Sequence, residues 1–372
     1  MQVENTCVSS AQIKRGCDVV RSKRPYLRVP VKMGETAKKR LRASGLLDLG
    51  YRIESRDGSL YMPLKTQVPA EVLRDVLGMK KVETGELDFE PFRPIREKLS
   101  DVLTGDMSSD EVRLLPRSYD LIGDIAVLEI PSELAQHEQE IGAAFLKIHH
   151  NFSTVLVKRG AISGVIRTRE YDLIAGVDKT DTVHVEYGCR IAVDLAKAYF
   201  SPRLLEEHHR VAGQVQDGET VIDMFTGVGP FALHIATTKR ADVYAIDINP
   251  DAIALLERSM EMNRLVGTIH PVVADAGIYV RANFQKRADR VIMNHPKGAS
   301  EFIALACMGV TSGGVVHYYD FAGGTDPEEQ FTQKVKSLVA KSGRSLRSIG
   351  AVRRVRDSAP YEYQMVADLI ID

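Results

Sequence analysis

The sequence predicts an α/β protein in three parts: a C-terminal seven-stranded, Rossmann-like sheet, an α+β middle domain and a small α/β N-terminal module. Three observations lead there. From Glu219 onward, apolar strand-like runs alternate with helical runs. The first of these strands runs straight into a G-x-G-x-x-A loop, Gly227 to Ala232. The charge also changes sign near the stretch Met62–Pro69, which sets off the N-terminal end.

At about 150 residues per domain, 372 residues allow two or three domains. A composition of 44% apolar and 27% charged residues excludes a disordered, collagenous or coiled-coil chain. No stretch approaches the roughly 18 apolar residues of a membrane span, so no membrane partner is expected. The N-terminus lacks the apolar core of a secretory signal. Cys7, Cys17, Cys189 and Cys307 form no C-x-x-C pair, which suggests neither a disulfide framework nor a zinc site and fits a reducing cytoplasm. The net charge of −1 argues against a nucleic-acid partner only while the chain is taken whole. Residues 1–65 carry 14 Lys+Arg and 6 Asp+Glu, a net of +8; residues 66–150 carry 9 and 17, a net of −8. The basic part can meet phosphates or simply face water. Its deletion is expected to weaken nucleic-acid affinity and flatten its salt dependence.

Residues 1–24 are polar and aperiodic and read as a flexible tail. Residues 25–68 form the basic module. YLRVPV is strand-like, GETAKKRLRASGLL is an amphipathic helix closed by Gly45, and YRIES and SLYMPLK flank the turn signal Asp57-Gly58. Residues 69–187 form the middle domain: an acidic, helical start, strands in YDLIGDIAVLEI, a helix over ELAQHEQEIGAAFLKIHH, then STVLVKRG and GVIRTREYDLIAG as strands. VHVEYG and CRIAVDLAKAYF read as a hairpin about Gly188. Residues 188–372 hold the large sheet, with strands TVIDMF, DVYAID, HPVVAD, DRVIMN, GVVHYY, SLRSIGAVRRVR and YEYQMVADLIID. Their spacing implies a parallel sheet ending in an antiparallel pair.

The glycines at 227 and 229 let the chain approach a ligand, and Asp247 lies 20 residues beyond Gly227, where an acid accepts from ribose hydroxyls. The plain alternative is a strand–helix turn with Asp247 capping the helix at Pro250. Asp223 opens the loop and would repel a pyrophosphate, which favours a cofactor with a cationic tail such as S-adenosylmethionine. Asp275, after the third strand, is placed for the adenine edge or is an ordinary loop Asp. The fourth strand runs into Asn294-His295-Pro296, a rigid stretch whose carbonyls can accept from a planar amide edge. Upstream, Glu206-Glu207-His208-His209 lacks the i, i+4 spacing of a zinc helix. No metal is expected; a solvated helix face and a general base are the other readings.

Taken together, YFSPRLxxE (199–207), DMFTGVGPF, YAIDINP, VIMNxP, GGVVHYY and IRTREYDLIAG resemble the tRNA guanosine-37 N1-methyltransferases of archaea and eukaryotes, in order and spacing from about residue 25 to the end. The basic module suggests the archaeal form. The resemblance implies that the module feels the outer corner of tRNA, the middle domain grips the anticodon stem-loop, and a monomer in the cytoplasm binds S-adenosylmethionine on the large sheet. It implies catalytic roles for Arg167 at the guanine oxygen, Glu207 as general base, and Asn294 with Pro296 in the loop holding the base. It implies cofactor contacts from Tyr199, Arg203, His208, Asp223, Phe225, Gly227, Gly229, Asp247, Ile248, Asp275, Ala276 and Asn294. Two departures stand out: His208 where the family usually has Arg, and His295 in a loop that is commonly Asn-Leu-Pro. On this reading Glu207 needs a raised pKa. The alternatives are a wyosine-pathway enzyme of the same fold, which adds a further methyl or an aminocarboxypropyl group, and a tRNA-binding protein without catalysis. A nicotinamide dehydrogenase is the most distant reading.

Overall fold

The computed structural model describes residues 21–372 apart from 80, 92–97, 104, 106, 164–167, 296–297 and 360. The chain divides into two units, 1–97 and 98–372.

In the first unit, strand Ser22–Pro30 pairs antiparallel with Ser59–Pro63 on one side and Glu83–Phe89 on the other, and Glu54–Arg56 extends the sheet. Asp57 and Gly58 both have positive φ, 47° and 69°, the requirement of a type I′ hairpin turn. Helix Gly34–Ala43 buries Ala37 and Leu41 against Leu27, Val29 and Met62. The sheet differs from the expected module at both ends. It begins inside the residues read as tail, because Ser22 to Arg24 find partners in Leu87 to Phe89. It runs past residue 68, because without Glu83–Phe89 the strand Ser22–Pro30 would be an unpaired edge.

In the second unit, strands Asp120–Ile122, Ile125–Leu128, Thr154–Ser163 and Thr168–Gly176 form a sheet in that order. Helix Glu138–Ile148 makes the crossover between its one parallel pair and packs Ile141 and Phe145 on Val155 and Val157. The hairpin Asp181–Glu186/Cys189–Asp194, turned by Tyr187 and Gly188, straddles the expected division at 187/188. Ala192 N donates to Ser259 Oγ (2.8 Å) and Arg190 N to Asn263 Oδ1 (2.9 Å), which ties the hairpin to helix Pro250–Glu261 and to the turn just after it.

The large sheet runs Thr268–Val273, Asp242–Asp247, Thr220–Asp223, Ala288–Met293, Val310–Gly323, Glu362–Ile371, the first five parallel and the last antiparallel. Apolar cores cover both faces: Val221 points into one and Ile222 into the other, which is why these strands read as unbroken apolar runs. There are eight strands, not seven. The run 345–356 breaks at Gly350 into Leu346–Ile349 and Arg353–Ala359, and both lie on the same edge of Glu362–Ile371. Gly350 N donates to Asp368 O (2.8 Å) at the break. Helix Ala276–Asn283 carries no clear sequence signal, since glycine and β-branched residues are weak helix formers; the Asp275 side chain caps it by accepting from Ile278 N. Among the described residues, no helix is long and apolar enough to cross a membrane.

Candidate active site

The strand order reverses between Thr220–Asp223 and Ala288–Met293, and the crevice beyond the carboxyl ends of such strands is where ligands bind in open α/β sheets. A cavity of about 780 Å3 opens there, walled by this end of the sheet and by Asp120, Lys158, Arg169 and Tyr171 of the middle sheet.

One end of the cavity has the form of a nucleoside-cofactor site. Gly227 and Gly229 are left-handed, with φ 55° and 79°. A Cβ on Gly229 would sit 2.3 Å from Leu256 Cδ1, whereas one on Gly227 would meet nothing nearer than Tyr199 O at 3.7 Å. Gly227 therefore leaves room for a guest, and Gly229 lets the helix Pro230–Thr238 pack closely. Asp247 accepts from Gly227 N (2.8 Å) and Asn249 N (2.9 Å). It does not cap the next helix; Asn249 does, accepting from Asp251 N (3.0 Å). Burial pushes the Asp247 carboxyl up. Asp223 is fully buried: Oδ2 accepts from Thr226 Oγ1 (2.8 Å), Oδ1 has no hydrogen-bond partner among the described residues, and burial pushes the carboxyl up to about 7. An orphaned buried carboxylate oxygen beneath the glycine loop suits a cationic guest and fits S-adenosylmethionine.

The other end is more polar. Asn294 Oδ1 accepts from Gln364 Nε2 (3.1 Å), and Gln364 Oε1 accepts from Arg356 Nε (2.7 Å). Arg356 also donates to Ser201 Oγ (3.0 Å) and Tyr199 OH (3.2 Å). Sequence reasoning missed Arg356 and Gln364; the only local trace is the R-x-R alternation of Arg354 and Arg356 in a strand-like run. Asp120 holds Lys158 and Arg203, each at 2.7 Å. Arg169 lines the cavity with a buried Nε that has no hydrogen-bond partner among the described residues. His295 stacks on Phe225 (4.7 Å between centroids), which gives its aromatic ring a partner beside the loop.

Of the predicted residues, Tyr199, Arg203, His208, Phe225, Gly227, Asp247, Ile248, Asp275, Ala276 and Asn294 line this cavity. Asp223, Gly229 and Glu207 are not among the lining residues. Arg167 and Pro296 lie outside the described residues.

Glu207 and His208 are buried, so the solvated-face reading fails for them. The expected rise in the Glu207 pKa is also not what the geometry produces. Burial pushes the carboxyl up. Arg210 (3.0 Å from Nε), Tyr319 OH (2.7 Å) and Arg353 (3.1 Å) outweigh it, and the group lies below the ordinary carboxylate range. His208 finds a partner that local sequence could not show: its Nδ1 is 2.8 Å from Glu186 Oε2, which also meets His234 Nε2 at 3.1 Å.

Known proteins resemble this chain along nearly its whole length. A tRNA (guanine(37)-N(1))-methyltransferase, Trm5b, of Pyrococcus abyssi is 39% identical over 345 residues, 92% of this chain and 97% of that one. The chain belongs to the tRNA (guanine-37-N1)-methyltransferase family. Residues 182–346 match the TRM5/TYW2 methyltransferase domain, 99–180 the TYW2 N-terminal domain and 27–72 the tRNA methyltransferase 5 N-terminal domain. The crystal structure of the Pyrococcus abyssi protein superposes with a TM-score of 0.69 at 36% identity, covering 94% of this chain and 99% of that one. A complex of aTrm5 with tRNALeu gives 0.64 at 33%, covering 93% and 99%.

Proposed function

We infer that this protein transfers the methyl group of S-adenosylmethionine to N1 of guanosine 37 in tRNA. The observation that carries the reading is one continuous cavity, which joins a glycine-loop nucleoside site to a cationic wall from the middle sheet, in a chain of this family. Bound S-adenosylmethionine supplies an electrophilic methyl group on a sulfonium. Asp247 would hold the ribose, Asp275 with Ile248 and Ala276 the adenine, and the loop at Gly227 would pass beside the amino-acid tail; Asp223, buried and not lining the cavity, would act on the tail's charge only through that loop. Asn294, fixed by Gln364, would orient the guanine with Pro296.

Neutral guanine carries a proton on N1, so methylation requires its removal, and charge then moves to O6. Arg167, matched through the family, and Arg169, which lines the cavity, would stabilise that charge. Glu207 would accept the proton. A carboxylate held low by Arg210 and Arg353 is ionised at neutral pH but weakly basic, so the reaction relies on the cations at O6 to make N1 acidic. Glu207 would reach the base only after this clamp opens. Extruding the base is less costly in a single-stranded loop than in a duplex.

We further propose that a monomer acts in the cytoplasm, with the basic module on the outer corner of tRNA and the middle sheet on the anticodon stem-loop. The deciding experiment incubates transcript tRNA with methyl-labelled S-adenosylmethionine and maps the product nucleoside. Label at N1 of position 37 is expected. Label elsewhere, or a mass gain of an aminocarboxypropyl group, would overturn the reading.

A further inference from the structure

Three buried side chains from three elements meet beside the cavity, and the reaction scheme above gives their array no part. Glu186 ends strand Asp181–Glu186, His208 lies on helix Leu205–Gln214, and His234 lies on helix Pro230–Thr238. Glu186 Oε2 is 2.8 Å from His208 Nδ1 and 3.1 Å from His234 Nε2. An ionised carboxylate only accepts, so both nitrogens carry hydrogen, and neither ring needs a positive charge to donate. Burial pushes Glu186 up, but the two donors hold it at about 2, so it is ionised at neutral pH. Burial holds His208 low and favours its neutral form. Glu186 Oε1 is buried and has no hydrogen-bond partner among the described residues; the nearby His184 Nε2 is 3.7 Å away. A buried charge with a spare acceptor oxygen is costly until a cation approaches.

Of the three, His208 lines the cavity. Its Nδ1 is committed to Glu186, which leaves the lone pair on Nε2, a nitrogen without a hydrogen-bond partner among the described residues. The ring packs edge-on against Phe231 at 4.7 Å, one residue past Pro230 and so beside the exit of the glycine loop. On the cofactor reading above, with the ribose on Asp247, the tail would run along that loop. The tail of S-adenosylmethionine carries an α-ammonium, a charged donor.

We propose that Glu186, His208 and His234 form the receptor for the α-ammonium of the cofactor's amino-acid end. His208 Nε2 accepts from the ammonium, Glu186 supplies the countercharge through the ring, and His234 holds Glu186 in place. This rests on the cofactor reading above.

The test is calorimetric titration with two ligands. S-adenosylhomocysteine has the amino-acid end, and methylthioadenosine lacks it. His208→Phe and Glu186→Gln should each weaken S-adenosylhomocysteine about tenfold or more, the size of a lost charge-assisted hydrogen bond. Methylthioadenosine should stay within about twofold, which also reports that the variants fold. Equal losses for both ligands, or no loss for either, would overturn the proposal. So would a stoichiometric metal retained by the wild type and lost in both variants, since the three side chains could ligate one. Failure of the wild type to bind either ligand would instead sink the cofactor reading and this proposal with it.

Discussion

At Glu207, burial and ion pairing oppose one another, and pairing wins because three donors converge on one carboxylate. Glu207→Gln keeps the shape and loses the basicity. It should slow single-turnover methyl transfer about 100-fold or more while S-adenosylhomocysteine affinity stays within about twofold; a wild-type rate would remove Glu207 from the role. Asp223 is the opposite case, a buried acid without a cation. Moved from 3.8 to about 7, it binds its proton more tightly in the folded state than in the unfolded one. Stability from this group therefore falls as pH rises from about 4 to 7, by roughly 4 kcal/mol for a shift of this size. Denaturant unfolding at pH 4 and pH 8 should show Asp223→Asn gaining on the wild type by a few kcal/mol, and an equal difference at both pH values would refute it. Both positions could be picked out from the sequence. Their protonation could not, because it depends on Arg353, which is 146 residues from Glu207, and on complete burial.

At the level of elements, the glycine loop separates packing from ligand access. Gly229→Ala must push Leu256 aside and hold a left-handed residue, a cost of about 2 kcal/mol or more. Gly227→Ala meets open space and should cost about 1–2 kcal/mol while reducing cofactor affinity more than Gly229→Ala does per unit of stability lost. Thermal unfolding and cofactor titration of the two variants would separate these effects, and equal ratios would contradict the assignment. Strand–helix alternation made the large sheet readable, because burial on both faces imposes long apolar runs. Helix Ala276–Asn283 was not readable, because it depends on one cap and on packing against Ile303 and Leu305.

Across the whole molecule, the charge pattern has a structural cause. The expected boundary between basic and acidic segments cuts through one folded sheet, where Glu83 pairs with Arg28 (2.9 Å), Glu86 with Lys23 (3.0 Å) and Glu90 with Arg52 (3.6 Å). Residues 21–91 together hold 15 Lys+Arg and 10 Asp+Glu, a net of +5 rather than +8. Removing residues 1–65 would strip Glu83–Phe89 of its partner strand, so a clean truncation falls at 97. Deletion of 1–97 should weaken tRNA binding and lower the log–log salt slope by roughly 0.7–0.9 for each phosphate that the module neutralises, with S-adenosylhomocysteine affinity unchanged. An unaltered slope in a filter-binding titration would mean that the module neutralises none.

Local patterning carries most of the sheet's strand–helix order, though not helix Ala276–Asn283 or the eighth strand, together with the glycine loop and its spaced acids, because periodicity and turn chemistry act over a few residues. What those acids face depends on packing between distant segments. The clamp on Glu207, the Glu186–His208–His234 array and the chain from Asn294 through Gln364 to Arg356 each join residues that lie far apart in sequence. Local patterning carries no record of such pairings, since they arise when the C-terminal strands and the hairpin at 181–194 pack around the site.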